Sequence, residues 1–227
     1  MTLQIAMSGK DGWLIASDRC RTLSLHSRAG SETTKIIAHP SLGLAYAFSG
    51  DDCAILAGEM LANRFAALRN SGDLRSALKT LGDEAWEQAK KASLQPPHPA
   101  NVRSLLIGTI DNGLWDIRIG EKSSIVYDIG DKLAITGDDS SPALFFAERY
   151  YSPTLSLNAL MVIAAHVILT GSHFSPYVSG LEMLICKTGT LTMFQSGCET
   201  LNRLVARSKE IGDNLSNILL DSNILLR

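Results

Sequence analysis

The spacing of apolar residues changes period repeatedly along this chain, and the order of those periods restricts the fold more than any single residue does. Leu3 to Ser8 and Trp13 to Ser17 are short apolar runs separated by Gly9-Lys10-Asp11-Gly12. An Asp-Gly pair between such runs predicts a tight hairpin, because it accepts positive φ. Two more strands are predicted at Thr34 to Ala38 and Leu44 to Phe48, with Pro40 and Gly43 marking the turn. From Asp51 to Asn70 the residues Ile55, Met60, Leu61, Phe65 and Leu68 recur at helical spacing. Asp73 is placed to cap a second helix to about Ala92, with Leu74, Leu78, Leu81 and Trp86 on its inner face, and Pro96, Pro97 and Pro99 end it.

Strands return at Val102 to Ile110, Leu114 to Ile119, Ile125 to Ile129 and Leu133 to Thr136. Helices follow at Pro142 to Tyr151 and Ser156 to Thr170, then strands at Leu181 to Lys187 and Leu191 to Gln195. A chain that returns to strands after each helix pair buries its apolar faces by stacking two sheets between two helical layers. The expected class is therefore α/β (α+β), a four-layer αββα sandwich. A doubly wound parallel sheet would need single helices alternating with single strands, and is excluded. Leu201, Leu204, Ile211, Leu215 and Ile218 then form a narrow apolar seam, which predicts a long helix from Glu199 to Leu226. It packs on a neighbouring subunit or on its own domain. The expected division is 1–198 as one domain and 199–227 as a helical extension.

Composition narrows the function classes. With 227 residues, 45% hydrophobic and 19% charged, the chain can build one sizeable core. A formal charge of −2 with interspersed signs offers no basic stripe, so nucleic acid is not an expected partner. Cys20, Cys53, Cys186 and Cys198 lack the CxxC spacing of a zinc site or redox pair, and read as reduced, mostly buried thiols. His26, His39, His98, His166 and His173 show no ligand spacing, so neither metal nor cofactor is expected. No GxSxG occurs, which argues against a nucleophile-elbow serine hydrolase. The opening residues lack a secretory pattern, and Ala159 to Leu169 is shorter than the ~20 residues a membrane span needs. No membrane partner and a cytoplasmic location are the expectation.

The first residues carry the chemistry. An N-terminal threonine is a self-sufficient nucleophile, because its own α-amine, with a reference pKa of about 8, accepts the hydroxyl proton. Thr2 becomes one if Met1 is removed, and the strand from Leu3 would hold it on a rigid element. The adjacent strand ends in Ala16-Ser17-Asp18-Arg19, and Lys35 opens the next strand pair. A carboxylate at Asp18 could fix the Lys35 ammonium, which would favour a developing alkoxide on Thr2. Solvated charges at a turn and a strand end are the ordinary reading of the same two residues.

Taken together, Thr2, the Asp11-Gly12 turn, Ile15-Ala16-Ser17-Asp18-Arg19, Lys35-Ile36-Ile37 and Phe48-Ser49-Gly50 resemble the succession in proteasome β-type subunits, which are N-terminal nucleophile hydrolases. Asp18 lies sixteen residues after Thr2, as the family's aspartate does after its threonine, while Lys35 and Gly50 need one and two inserted residues. The resemblance continues in Gly137-Asp138-Asp139-Ser140-Ser141-Pro142-Ala143 and Ser179-Gly180. The short start and C-terminal helix look most similar to the β-proteobacterial proteasome homologue, with HslV-type and Anbu-type subunits next.

The resemblance implies a threonine endopeptidase, with Thr2 as nucleophile, Asp18 and Lys35 as the ion pair beneath it, and the Gly50 N–H as oxyanion donor. Ser140 and Ser179 match further catalytic positions, and Arg21, Thr33, Phe48 and Asp52 would surround the first substrate pocket. It also implies identical subunits in stacked rings, an unfolded polypeptide as substrate and an ATP-dependent unfoldase as feeding partner. Asp138 stands where the family usually has a serine against the threonine amine, and Pro176 replaces a family aspartate. A carboxylate at 138 would favour the protonated amine. A ring scaffold with weak or no catalysis, or a hydrolase of small amides, are the alternatives.

Overall fold

The computed structural model describes residues 2–21, 31–92, 103–111, 113–137 and 141–220. The chain opens with β1 (Leu3–Gly9) and β2 (Gly12–Ser17), followed by two-residue strands β3 (Cys20–Arg21) and β4 (Ser31–Glu32). Next come β5 (Ile36–His39), a 3-10 turn at Pro40–Leu42 and β6 (Leu44–Ser49), then α1 (Asp52–Arg69) and α2 (Leu74–Ala92). Four strands follow, β7 (Ser104–Thr109), β8 (Gly113–Arg118), β9 (Ile125–Asp128) and β10 (Leu133–Gly137). The chain continues through α3 (Leu144–Tyr150), α4 (Leu157–Phe174), β11 (Glu182–Lys187), β12 (Thr190–Phe194) and α5 (Glu199–Leu220).

Two antiparallel five-stranded sheets result, in the orders β10-β1-β2-β11-β12 and β5-β6-β7-β8-β9. The mixed α and β composition and the order of its blocks follow the apolar periods. Alternation along β1 shows why. Leu3, Ile5 and Met7 join Leu14, Ala16 and Met183 in a core with Leu160, Ala164 and Ile168 of α4. Ala6 on the opposite face joins Trp13, Ile15 and Leu184 against Ile36, Ala45, Ala47 and Leu106 of the second sheet. The outer face of that second sheet, with Leu44, Tyr46, Leu105 and Ile107, packs on Leu61, Phe65, Leu78 and Trp86 of α1 and α2. Period two in strands and 3.6 in helices thus puts each apolar stripe against a partner.

The boundaries follow from local chemistry. Asp51 caps α1 by accepting the Cys53 amide at 3.1 Å, and Asp73 accepts the Ser76 amide at 3.0 Å before α2. Helix α4 is longer than expected, running to Phe174, and by length and composition alone it could cross a bilayer. Its buried residues instead pack on the first sheet. Helix α5 begins on its own domain. Leu201 and Leu204 enter the first core, and Ser208 meets His166 of α4 with Oγ and Nδ1 3.0 Å apart. His166 is thus a satisfied core residue, as its apolar surroundings in the sequence suggest, while residues 221–227 lie outside the described part.

Candidate active site

Strand pairing brings the ends of three segments together beside Thr2. The Asp18 amide donates to the Leu3 carbonyl at 3.0 Å, where β2 runs out beside the start of β1. The Asp18 side chain then turns back under that start with no exposure. Its Oδ1 accepts the Leu3 amide and the Lys35 ammonium, each at 2.8 Å, and its Oδ2 accepts the Cys20 amide at 2.9 Å. Lys35 is itself buried at 3% exposure. One carboxylate oxygen therefore joins the residue after Thr2 to a fixed positive charge.

Desolvation dominates the electrostatics of this pair. Burial pushes the Asp18 carboxyl above its ordinary value, against the pull of Lys35 and of the Leu3 and Cys20 amides. Burial also draws the Lys35 ammonium down, against the attraction of Asp18, Cys20 and Glu182. Such a pair is held in a dry site by the direct Asp18–Lys35 bond together with the two backbone amides on the carboxylate.

Two residues that sequence reasoning missed, Glu182 and Gln4, complete the arrangement with Gly137. Glu182, the first residue of β11, has no exposure, and its Oε1 accepts the Lys35 and Ile36 amides at 2.5 and 2.9 Å. Burial lifts its carboxyl to about 7. Gln4 is also fully buried on the face of β1 that meets the second sheet. Its amide group donates to the Phe48 carbonyl at 2.8 Å and accepts from Thr136 Oγ1 at 3.2 Å. It ties the first strand to the residues before Gly50. Gly137, opposite Leu3 on β10, has φ +94, and a Cβ there would lie 1.7 Å from the Thr2 carbonyl oxygen. Only glycine fits that contact. The signal for Gln4 and Glu182 was a polar residue set inside the apolar runs Leu3–Met7 and Leu181–Cys186.

Gly50, the residue after β6, is exposed with φ +110, a conformation that favours glycine. The next residue, Asp51, is held by the Arg103 guanidinium at 2.6 Å, and Arg103 lies 4.7 Å over the Trp86 ring. The Phe48 amide reaches the Lys35 carbonyl at 3.4 Å, so the Gly50 segment and the lysine segment are neighbours. Ser179 is exposed, and its carbonyl accepts the Arg19 amide at 2.7 Å beside Asp18. The Thr33 amide donates to the Arg19 carbonyl at 2.8 Å. Of the expected pocket residues, half-buried Phe48 packs against the core under α1 and α2, and Asp52 is exposed at the first turn of α1. The Arg21 side chain, Asp138 and Ser140 lie outside the described residues. Pro176 is exposed in the turn after α4.

No protein-family model and no curated protein sequence matches the chain. Solved structures do match its fold. Anbu (ancestral beta-subunit) from Yersinia bercovieri superposes with a TM-score of 0.74 at 17% identity, covering 96% of each chain. The Anbu complex from Pseudomonas aeruginosa, a helical assembly, gives 0.73 at 15% identity over 96% of this chain and 95% of that one. Anbu from Hyphomicrobium sp. strain MC1 gives 0.70 at 14% identity, covering 94% and 97%. The chain thus has the proteasome-like fold of the Anbu proteins, a type that the short start and C-terminal helix had placed behind the β-proteobacterial homologue.

Proposed function

We propose that this chain is a threonine-type N-terminal nucleophile hydrolase that cleaves peptide bonds, built as a four-layer αββα domain over residues 1–198 with a helical extension over 199–227. The observation that carries this reading is the Asp18 carboxylate, which joins the start of β1 to the buried Lys35 ammonium through one oxygen. In this reading, removal of Met1 frees the Thr2 amine. That amine takes the proton from Thr2 Oγ1, which attacks the substrate carbonyl. The Lys35 charge favours the developing alkoxide, and the Gly50 N–H faces the oxyanion. The C–N bond breaks as the amine returns its proton to the leaving nitrogen, leaving an ester on Thr2. Water activated by the same amine then cleaves the ester.

Self-association with identical subunits belongs to the same reading, and two observations support it. The matched Pseudomonas aeruginosa complex is a helical assembly. Phe145 on α3 and Phe174 at the end of α4 are 70% and 59% exposed, apolar surface that contact with an identical subunit would cover. Unfolded polypeptide as substrate, an ATP-dependent unfoldase and a cytoplasmic site are further parts of the proposal.

The test is hydrolysis of acyl-peptide fluorogenic substrates by the assembled protein and by Thr2→Ala. Activity that vanishes in the variant, with oligomer size kept, is the expected result. Equal activity in both would remove Thr2 from the mechanism. A second reading, a catalytically weak scaffold, is favoured by Asp138 in place of the serine, and it expects no turnover in either protein.

A further inference from the structure

One buried carboxylate has no part in the chemistry proposed for Thr2. Glu182 opens β11 opposite Ser17, the residue before Asp18, and is wholly enclosed. Its Oε1 grips the two amides at the entry to β5, so it holds the backbone from which the Lys35 side chain departs. Its Oε2 has no hydrogen-bond partner among the described residues, although it is buried. Ionised, that oxygen is desolvated without compensation; protonated, it carries a hydrogen and no charge.

Lys35, just before β5, and Arg19, between β2 and β3, act on its charge, while Asp18 and Cys20 beside them act on Lys35. Arg19 is in turn paired with Glu32 of β4 at 2.8 Å. Burial raises the Glu182 carboxyl to about 7, and Arg19 and Lys35 oppose that rise.

We infer that Glu182 is a positioning residue that fixes the Lys35 backbone and, by gaining or losing one proton, sets how firmly the Lys35 ammonium holds its own. With Glu182 ionised, its charge adds to that of Asp18 in favouring the protonated ammonium, which then keeps its proton more tightly. With Glu182 neutral, Asp18 alone does so. The coupling between the two side chains is a property of the fold. Its consequence for catalysis rests on the Thr2 reading above, because only there does the ammonium face a developing alkoxide.

The experiment follows the Lys35 side-chain resonance by 15N-lysine NMR in the full chain from acid to mildly alkaline pH, assigned by its loss in Lys35→Arg. In wild type it should shift with a midpoint near neutrality. In Glu182→Gln that shift should be lost, although the amide oxygen can still accept both backbone N–H groups. Absence of the shift in wild type, or its survival in Glu182→Gln, overturns the inference. If Glu182→Gln fails to fold, Glu182→Asp replaces it, with a moved midpoint expected and an unmoved one contradictory. Labelling rates with a threonine-directed inhibitor form the second arm. The wild-type pH profile should carry an inflection that Glu182→Gln lacks, and coincident profiles would refute the positioning role. NMR coupling without any labelling supports Glu182 while overturning the Thr2 reading.

Discussion

A carboxylate with no exposure and three donors acts as a fixed post, and Asp18 is that post for the start of β1. Replacing Lys35 by Met would leave a buried charge with amide donors alone, a change that costs about 3–5 kcal/mol when a buried pair loses one partner. Chemical denaturation should show that loss, and Asp18→Asn in the same chain should restore part of it. Gly137 acts by absence of a side chain. Gly137→Ala would press a methyl group on the Thr2 carbonyl and strain the backbone at φ +94, so the melting temperature and inhibitor labelling should both fall. Glu182 gives the pH dependence. Its folded pKa of about 7 stands above the ordinary 4.5, so the folded chain binds this proton more tightly than the unfolded one. The stability it contributes is full below 4.5 and is lost as pH rises through 7. Between those limits wild type should lose about 3 kcal/mol more than Glu182→Gln, at ~1.4 kcal/mol per pKa unit.

At the scale of elements, Gln4 links two sheets through one amide group. Gln4→Leu strands the Phe48 carbonyl and the Thr136 hydroxyl, and should cost about 1–3 kcal/mol for each group left unsatisfied. Urea unfolding measures it, and labelling should slow as the Gly50 segment loosens. Helix α5 is latched to α4 at His166, which lies 4.4 Å from the Phe146 ring. Burial draws the His166 pKa below its ordinary 6.5, so this latch is stable above that pH and weakens on acidification. Protection in α5, taken from amide exchange relative to the intrinsic rate at each pH, should fall below pH 6.5, and less so in His166→Asn. Most of these elements could be read from the chain, because strands and helices several residues long display their period. Residues 20–21 and 31–32 pair over two residues each, too short for any period to register. Asp18 and Lys35 stood out through motif spacing. Glu182 did not, since its meeting with Lys35 across 147 residues exists only once β11 pairs with β2.

Among the described residues, three apolar cores hold the two five-stranded sheets and the helices packed on them, leaving Phe145 and Phe174 uncovered. If those rings contact identical subunits, Phe145→Glu with Phe174→Glu should shift light scattering from an oligomer toward the 24.5 kDa subunit with circular dichroism unchanged. An unchanged oligomer would place the contacts elsewhere. In the proposed mechanism the reaction depends on a free Thr2 amine beside its hydroxyl and on the Lys35 charge. The direct measurement is the mass of the N-terminal peptide after incubation with a threonine-directed covalent inhibitor. A peptide that begins at Thr2 and carries the inhibitor mass on that residue is the expected result; an unmodified peptide, or one that still begins with Met1, contradicts it.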